Sequence, residues 1–356
     1  MFWVMSKDKA AKFYPLKSKV KRAVVFLPCA GCKKLCSFCD QRIITNRTFP
    51  ELGTIEQDLK EQLFGILKWL ERKIEKITSK FDCEIQNSLA VEIAFFGGTF
   101  TSLDIEYRYK LLSLARDLGS EFKRLIPEKF SSIVKWRGIR FSTKPGTVNR
   151  LEFEDWKKFG VFAVELGVQT TEDEVLVLHG RDYTLENVIK DSSALREAGF
   201  RVGWQFLVGL PGQKRGFWRK AFSKFIPDEV RIYPLVVIMG TLLDRWIENG
   251  ELEKKGIKLW NFEDILEEAT DLYEECLKRK VEVLKVGLHY EKSLAERARE
   301  WYNWGDLVRL NYLKRRFERN EELTPQEKKI LSTAYGGAFL KSGSGLKDWL
   351  LRRSSK

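Results

Sequence analysis

The chain has 356 residues, with 63 Lys and Arg against 50 Asp and Glu, a net charge of +13, and six cysteines. That length suits one large α/β domain with a smaller appendage. Four of the cysteines crowd one short segment, which argues for a cofactor site in a reducing cytoplasm and against a disulfide framework. The apolar residues 1–5 are too few for a signal peptide or a membrane span, so a soluble chain is expected.

Residues 1–22 form a basic extension, with seven Lys or Arg against Asp8 alone. Residues 23–27 read as a short buried strand that runs into the cysteine loop. Thr54-Ile55-Glu56 opens a long helix with Leu59, Leu63, Ile66, Leu67, Leu70 and Ile74 on one face. The next strand, 91–96, ends in Gly97-Gly98. A helix over 105–118 precedes strand 138–142, which ends at Lys144-Pro145. Residues 151–159 read as helix and 161–168 as strand. Helices 172–178 and 185–198 follow, the second stopped by Gly199. Strand 201–208 ends in Gly209-Leu210-Pro211-Gly212. An aromatic-rich helical stretch to Phe225 leads to strand 229–237, helix 261–280 and an extended stretch 281–288.

The remainder is expected to be a mostly helical, basic extension. It comprises 293–304, a basic stretch over 307–317, and a helix opened by Thr324-Pro325-Gln326-Glu327. Gly336, Gly337, Gly343 and Gly345 mark a flexible tail. Domains are accordingly set at 1–22, 23–240, 241–290 (flanking helices and an extra strand) and 291–356.

Strands alternating with helices imply parallel pairing and right-handed crossovers. Six βα units can curl into an incomplete barrel with its working mouth at the strand C-termini. Each Gly- or Cys-rich interruption falls at such an end, which points to an enzyme.

Cys32, Cys36 and Cys39 have the spacing C-x3-C-x2-C, with Phe38 before the last. Three thiolates can hold three irons of a [4Fe-4S] cube and leave the fourth open, whereas an electron carrier ordinarily uses four. Adding Cys29 gives four thiols, enough for a tetrahedral zinc in a non-enzymatic α/β module. Spacing alone leaves both readings open. Lys33, Lys34 and Arg42 are expected to face solvent or a reductase, since inward cations would raise the potential of an anionic cluster.

Other residues invite functional and structural readings side by side. Gly97 and Gly98 suit a close backbone approach to a ligand, with carbonyls left for an ammonium group, or simply a turn at positive φ. Glu165 is a carboxylate in an apolar strand, so it needs a diol or a cation, with Arg181 or Lys144 as candidate partners. Gln169 and Gln205 face the barrel lumen as ligand contacts or as satisfied polar groups. Arg181 is a ligand contact or a helix-end cation. His179 and His289 read as structural, as do Trp204 and Trp218. Trp301, Tyr302 and Trp304 are the better stacking candidates. Cys83 and Cys276 are too few for a second cluster.

Taken together, these segments resemble the radical S-adenosylmethionine (SAM) superfamily, with motifs similar to the branch related to the catalytic subunit of Elongator. The Cys32/Cys36/Phe38/Cys39 pattern resembles the superfamily's cluster loop, and Phe95-Phe96-Gly97-Gly98-Thr99-Phe100 its SAM-amino motif. Val164-Glu165-Leu166-Gly167-Val168-Gln169 is similar to the fourth strand, where a polar residue meets the SAM ribose. Ser142-Thr143-Lys144-Pro145, Val208-Gly209-Leu210-Pro211-Gly212 and Arg231-Ile232-Tyr233-Pro234-Leu235 are similar to the ends of the third, fifth and sixth strands.

The resemblance spans about residues 20–290. It implies a partial (βα)6 radical SAM barrel with a mostly helical C-terminal extension. It further implies a [4Fe-4S] cluster on Cys32, Cys36 and Cys39, with SAM held by Gly97, Gly98, Thr99, Ser142, Lys144, Glu165, Gln169, Arg181, Gln205, Gly209 and Leu210. Reductive cleavage of SAM would then give a 5′-deoxyadenosyl radical for hydrogen abstraction, with a ferredoxin or flavodoxin as electron donor. The sequence leaves no room for the Elongator acetyltransferase domain, so acetyl-CoA-dependent wobble chemistry is not carried over.

The substrate stays open between an RNA base and a small metabolite or peptide. Residues 312–356 carry eleven Lys or Arg against five acids, so two basic ends flank a near-neutral middle. They could embrace a tRNA or belong to a Lys/Glu-rich solvated surface.

Overall fold

The computed structural model describes residues 4–6, 20–45, 48–78, 83–85, 89–131 and 134–335. Seven strands form its main sheet: β1 (Val20–Phe26), β2 (Leu89–Phe96), β3 (Val134–Thr143), β4 (Val161–Gln169), β5 (Arg201–Val208), β6 (Glu229–Pro234) and β7 (Glu282–Val286). Their order in the sheet is their order in the chain. Sequential order is the topology of a (βα) barrel, whereas a doubly wound sheet reverses its strand order midway. The stretch expected at 281–288 is β7, paired parallel to β6. Val4–Ser6 and Cys83–Ile85 make a separate antiparallel pair. No helix among the described residues is long and apolar enough to cross a membrane.

Contacts divide the chain into two units. The first takes in Met1–Leu35, Asp40–Gly167 and Lys190–Val202, and the second Cys36–Cys39, Val168–Ile189 and Gly203–Lys356.

In the first unit, β1, β2, β3 and β4 pair in parallel. Their near-continuous apolar runs, such as Leu89–Phe96, are what strands covered on both faces require. The helix Ile105–Leu125 starts where Asp104 accepts the Tyr107 N–H at 3.1 Å, an ordinary N-cap. It lies close to β3 because Gly119 makes room for Trp136: a Cβ there would sit 2.2 Å from the ring. Phe95, Phe100, Phe141 and Trp156 continue as a chain of ring contacts at 4.6–5.3 Å.

In the second unit, β5, β6 and β7 pair in parallel. Trp204 and Trp218 are buried in an aromatic core with Phe206, Phe222 and Phe225. The helix Phe262–Lys278 is capped by Asn261, which accepts the Asp264 N–H at 2.8 Å. Cys276 is buried on this helix, and burial pushes its thiol up to about 12, so it stays an inert thiol. The last described helix, Pro325–Tyr335, opens with a reciprocal capping box between Thr324 and Glu327.

Two sequence expectations fail here. The strand expected over 229–237 ends at Pro234, and residues 235–237 form a loop. Residues 293–304 are not one helix: a single turn, Lys292–Ala295, gives way to a backbone bridge, with Met239 N donating to Arg297 O and Arg299 N to Val237 O. That pairing draws the chain out of helical geometry until Trp304 starts the helix Trp304–Glu318.

The basic C-terminal stretch is largely neutralised where it is described. Arg315 pairs with Glu267 and Asp271, Arg316 with Glu321 and Glu327, and Arg319 with Glu274 and Glu321. The basic residues 7–19 and the glycine-marked tail from 336 lie outside the described residues.

Candidate active site

In the first unit, the loop after β1 is laced to the turn after β2 by backbone hydrogen bonds. Leu27 N donates to Phe96 O (2.7 Å), Cys29 N to Gly97 O (2.8 Å) and Thr99 N to Ala30 O (2.7 Å). Such closeness leaves no room for side chains. A Cβ on Gly98 would lie 2.2 Å from Ala30 O, and one on Gly31, at φ +70°, would lie 2.3 Å from Thr99 O. Gly97 adopts φ +98°, a region glycine enters without steric cost. Its carbonyl accepts from Cys29 N–H, which leaves it one further lone pair. Gly31 was not singled out from sequence, although a glycine directly before Cys32 was a visible signal.

Cys32 is exposed, with its sulfur 3.5 Å from the Thr99 hydroxyl. Its neighbours Lys33 and Lys34 are exposed, and Arg42 pairs with Asp40. Cys29, at φ +57°, donates its thiol to Asp40 at 3.6 Å. Burial raises the Cys29 thiol, with the Gln41 and Arg42 N–H groups pulling the other way. The Arg42 hydrogen bond holds Asp40 below the usual carboxylate range. A thiol kept protonated against an ionised carboxylate is a poor metal ligand. The four-thiol zinc reading therefore has no support.

Glu165 is 1% exposed and paired with Arg140 (2.7 Å). Arg140 also binds Glu92 (2.9 Å), which pairs with Arg22 and Arg137 as well. A cation that accounts for the buried Glu165 is thus Arg140, a partner that sequence reasoning did not name. Ser142 is buried and Lys144 half-buried at the end of β3, beside a hydroxyl cluster in which Thr101 lies 2.5 Å from Thr143 and 2.6 Å from Thr147.

In the second unit, Cys36 and Cys39 flank a tight turn closed by Cys39 N to Cys36 O (3.1 Å). His179 pins this turn. Its Nε2 lies 2.9 Å from Pro211 O, so that nitrogen carries the proton and Nδ1 accepts from the Ser37 hydroxyl at 2.5 Å. Ser37 N donates to His179 O, and Leu243 N to Ser37 O (2.7 Å). Burial lowers the His179 pKa and keeps the ring neutral. Sequence reasoning marked His179 as structural but could not show that it anchors the cysteine turn.

Arg181 donates to the Cys36 sulfur (3.3 Å) and to the Tyr183 hydroxyl (3.1 Å). Burial works against its charge, but Tyr183 and Cys36 outweigh it and raise the pKa. Gln169 ends β4 at φ +61°, half-buried, and Gln205 is half-buried on β5. Gly209 adopts φ +93° with its would-be Cβ 2.8 Å from Ile265, and Leu210 beside it is buried. The structure thus groups Cys32, Gly97, Gly98, Thr99, Ser142, Lys144 and Glu165 in one unit, and Cys36, Cys39, Gln169, Arg181, Gln205, Gly209 and Leu210 in the other.

Cys32, Cys36 and Cys39 are all free thiols, none in a disulfide, and thiolates are the donors iron–sulfur clusters use. The donor set fits the cofactor.

Comparisons with known proteins agree. The tRNA uridine(34) acetyltransferase of Methanocaldococcus infernus is 31% identical over 174 residues, covering 46% of this chain and 33% of that protein. Elongator complex protein 3 of Saccharomyces cerevisiae is 30% identical over 168 residues, covering 44% and 30%. The aligned part thus spans about a third of the length of these curated relatives. The solved structure of the archaeal Methanocaldococcus infernus Elp3 with N-terminus deletion (1-46) shares the fold, with a TM-score of 0.57 at 21% identity, covering 92% of this chain and 68% of that one. The family model of the radical SAM C-terminal domain matches residues 227–315. The model of the radical SAM superfamily itself matches residues 26–221, more than half of the chain and the part that carries the cysteine loop and the glycine-ended strands. The protein belongs to the radical SAM superfamily, and is an enzyme using a [4Fe-4S] cluster and SAM.

Proposed function

We propose that this enzyme acts on an RNA base. The observation that carries the reading is the 31% identity, over 46% of the chain, to a tRNA uridine(34) acetyltransferase. When bound, the cluster and SAM supply reductive cleavage of a carbon–sulfur bond, giving methionine and a 5′-deoxyadenosyl radical that takes hydrogen from the substrate. Cys32, Cys36 and Cys39 hold three irons, with Cys29 outside the ligand set. Gly97, Gly98, Thr99, Ser142, Lys144, Glu165, Gln169, Arg181, Gln205, Gly209 and Leu210 are the residues assigned to SAM. Arg181 donates to the Cys36 sulfur, and Arg140 pairs with Glu165 inside the strand layer. The exposed Lys33 and Lys34 beside Cys32 suit docking of an acidic electron carrier of the ferredoxin or flavodoxin kind. A reducing, cytoplasmic setting is part of the same proposal.

Anaerobic reconstitution should load about four irons per chain, and dithionite with SAM should release 5′-deoxyadenosine. Cys36→Ala is expected to abolish both, and Cys29→Ser to keep both. Loss of iron in Cys29→Ser equal to that in Cys36→Ala would overturn the ligand assignment. RNA binding that weakens steeply with added salt is expected. A modified small metabolite that disappears on gene deletion, with no change in RNA nucleosides, would overturn the substrate reading.

A further inference from the structure

The second unit contains a cavity of 810 Å³ that opens where β6 ends, lined there by Leu235, Val236 and Val237. Nothing in the radical chemistry above uses it. We propose that it receives a planar heteroaromatic ring, the base of the substrate nucleotide. This rests on the RNA-base reading and names where that base would bind.

Four aromatic side chains line the cavity: Trp260, Phe262, Tyr302 and Trp304. Three form a packed wall, with Phe262 stacked on Trp304 at 5.2 Å and 4.7 Å from Tyr302. Trp260 is half-buried and makes no ring contact with this wall, so its face is available for stacking. Trp301, the other stacking candidate in the sequence, packs edge-on against Tyr290 at 5.9 Å and is not part of the lining.

The polar groups select among planar ligands. Trp304 is 3% exposed, and its indole N–H is buried with no acceptor among the described residues. A buried donor without an acceptor is costly, and the ring nitrogens and carbonyls of a base supply acceptors. The Glu263 and Glu300 carboxylates on the lining can take the amino and imino N–H groups of a base edge. The cationic lining residue Arg299 is already bound to Asp244 (2.5 Å) and Glu248 (3.2 Å), so the cavity does not favour an acidic ligand.

The same unit ties this cavity to the cysteine turn. Arg299 holds Asp244, and the adjacent Leu243 N–H holds the Ser37 carbonyl between Cys36 and Cys39. The lining residues Ile265 and Leu235 also close on Gly209.

The test titrates cluster-loaded protein with a tRNA transcript and, separately, with the four free ribonucleosides. Binding is read by tryptophan fluorescence and by equilibrium dialysis. Trp260→Ala is expected to weaken tRNA binding by roughly tenfold, and Trp260→Phe to restore most of it. Should Trp260→Ala lose its fold, Glu300→Gln takes its place with the same readings. Equal tRNA affinity in parent and variant overturns the cavity assignment while the RNA reading stands. Nucleoside binding that depends on Trp260, with no tRNA binding, supports the ring site and overturns the RNA source. A parent that binds neither overturns both.

Discussion

The guanidinium of Arg181 donates to the Cys36 sulfur across 3.3 Å. A cation against a cluster thiolate favours the reduced, more negative state. Arg181→Met is therefore expected to shift the cluster potential down by roughly 60 mV, about 1.4 kcal/mol for one electron. An EPR-monitored redox titration of the reconstituted protein reads this directly, and an unmoved potential would remove Arg181 from the site's electrostatics.

Arg140 is fully buried and bound to both Glu92 and Glu165. Arg140→Met leaves buried carboxylates without their shared cation and is expected to cost about 3–5 kcal/mol. Glu165→Gln keeps Arg140 on Glu92 and should cost less, about 1.5–3 kcal/mol. Urea unfolding of the two variants gives the comparison. A milder effect for Arg140→Met than for Glu165→Gln would contradict the network.

Gly98→Ala would put a methyl carbon 2.2 Å from the Ala30 carbonyl oxygen, a backbone atom that can yield only if the cysteine loop moves. A stability cost of about 1–3 kcal/mol and a marked fall in iron per chain are expected. Iron analysis together with a thermal melt checks both. Full iron loading in a stable Gly98→Ala protein would mean that the lacing is slack.

Glu268 accepts from Gly216 N (2.7 Å) and Trp218 Nε1 (2.9 Å). Burial lifts its carboxyl above the ordinary 4.5, and the two donors pull it only part of the way back. The folded state thus holds this proton more tightly than the unfolded one, so the stability it contributes is complete below pH 4.5 and is lost as pH rises through the folded value. Glutamine keeps an acceptor oxygen and cannot ionise. The urea midpoint of Glu268→Gln should match the parent near pH 4 and gain on it towards pH 8. A gap that narrows with rising pH would refute this.

What could be read from sequence was carried by backbone chemistry. The cysteine spacing, the glycines at strand ends and the Thr324/Glu327 cap are local signals, and the structure has each at a strand end or helix start. The partner of Glu165 was illegible because register decides it. Pairing Ser142 with Glu165 and Arg140 with Ala163 puts Arg140 and Glu165 on one face of the sheet, and only the paired strands fix that. The aromatic cavity was hidden for a similar reason, since residues 235–237, 259–265 and 299–304 meet only in three dimensions. The helix expected over 293–304 was wrong because a backbone bridge to Val237 and Met239 overrides local propensity.

Because strand order in the sheet repeats strand order in the chain, each new strand emerging from the ribosome can dock on the edge left by the one before it. Assembly can then proceed vectorially, with one growing edge exposed at a time and few long-range loop closures to wait for. On that route the segment bearing Cys32, Cys36 and Cys39 is synthesised directly after β1, so its thiols emerge before most of the sheet exists.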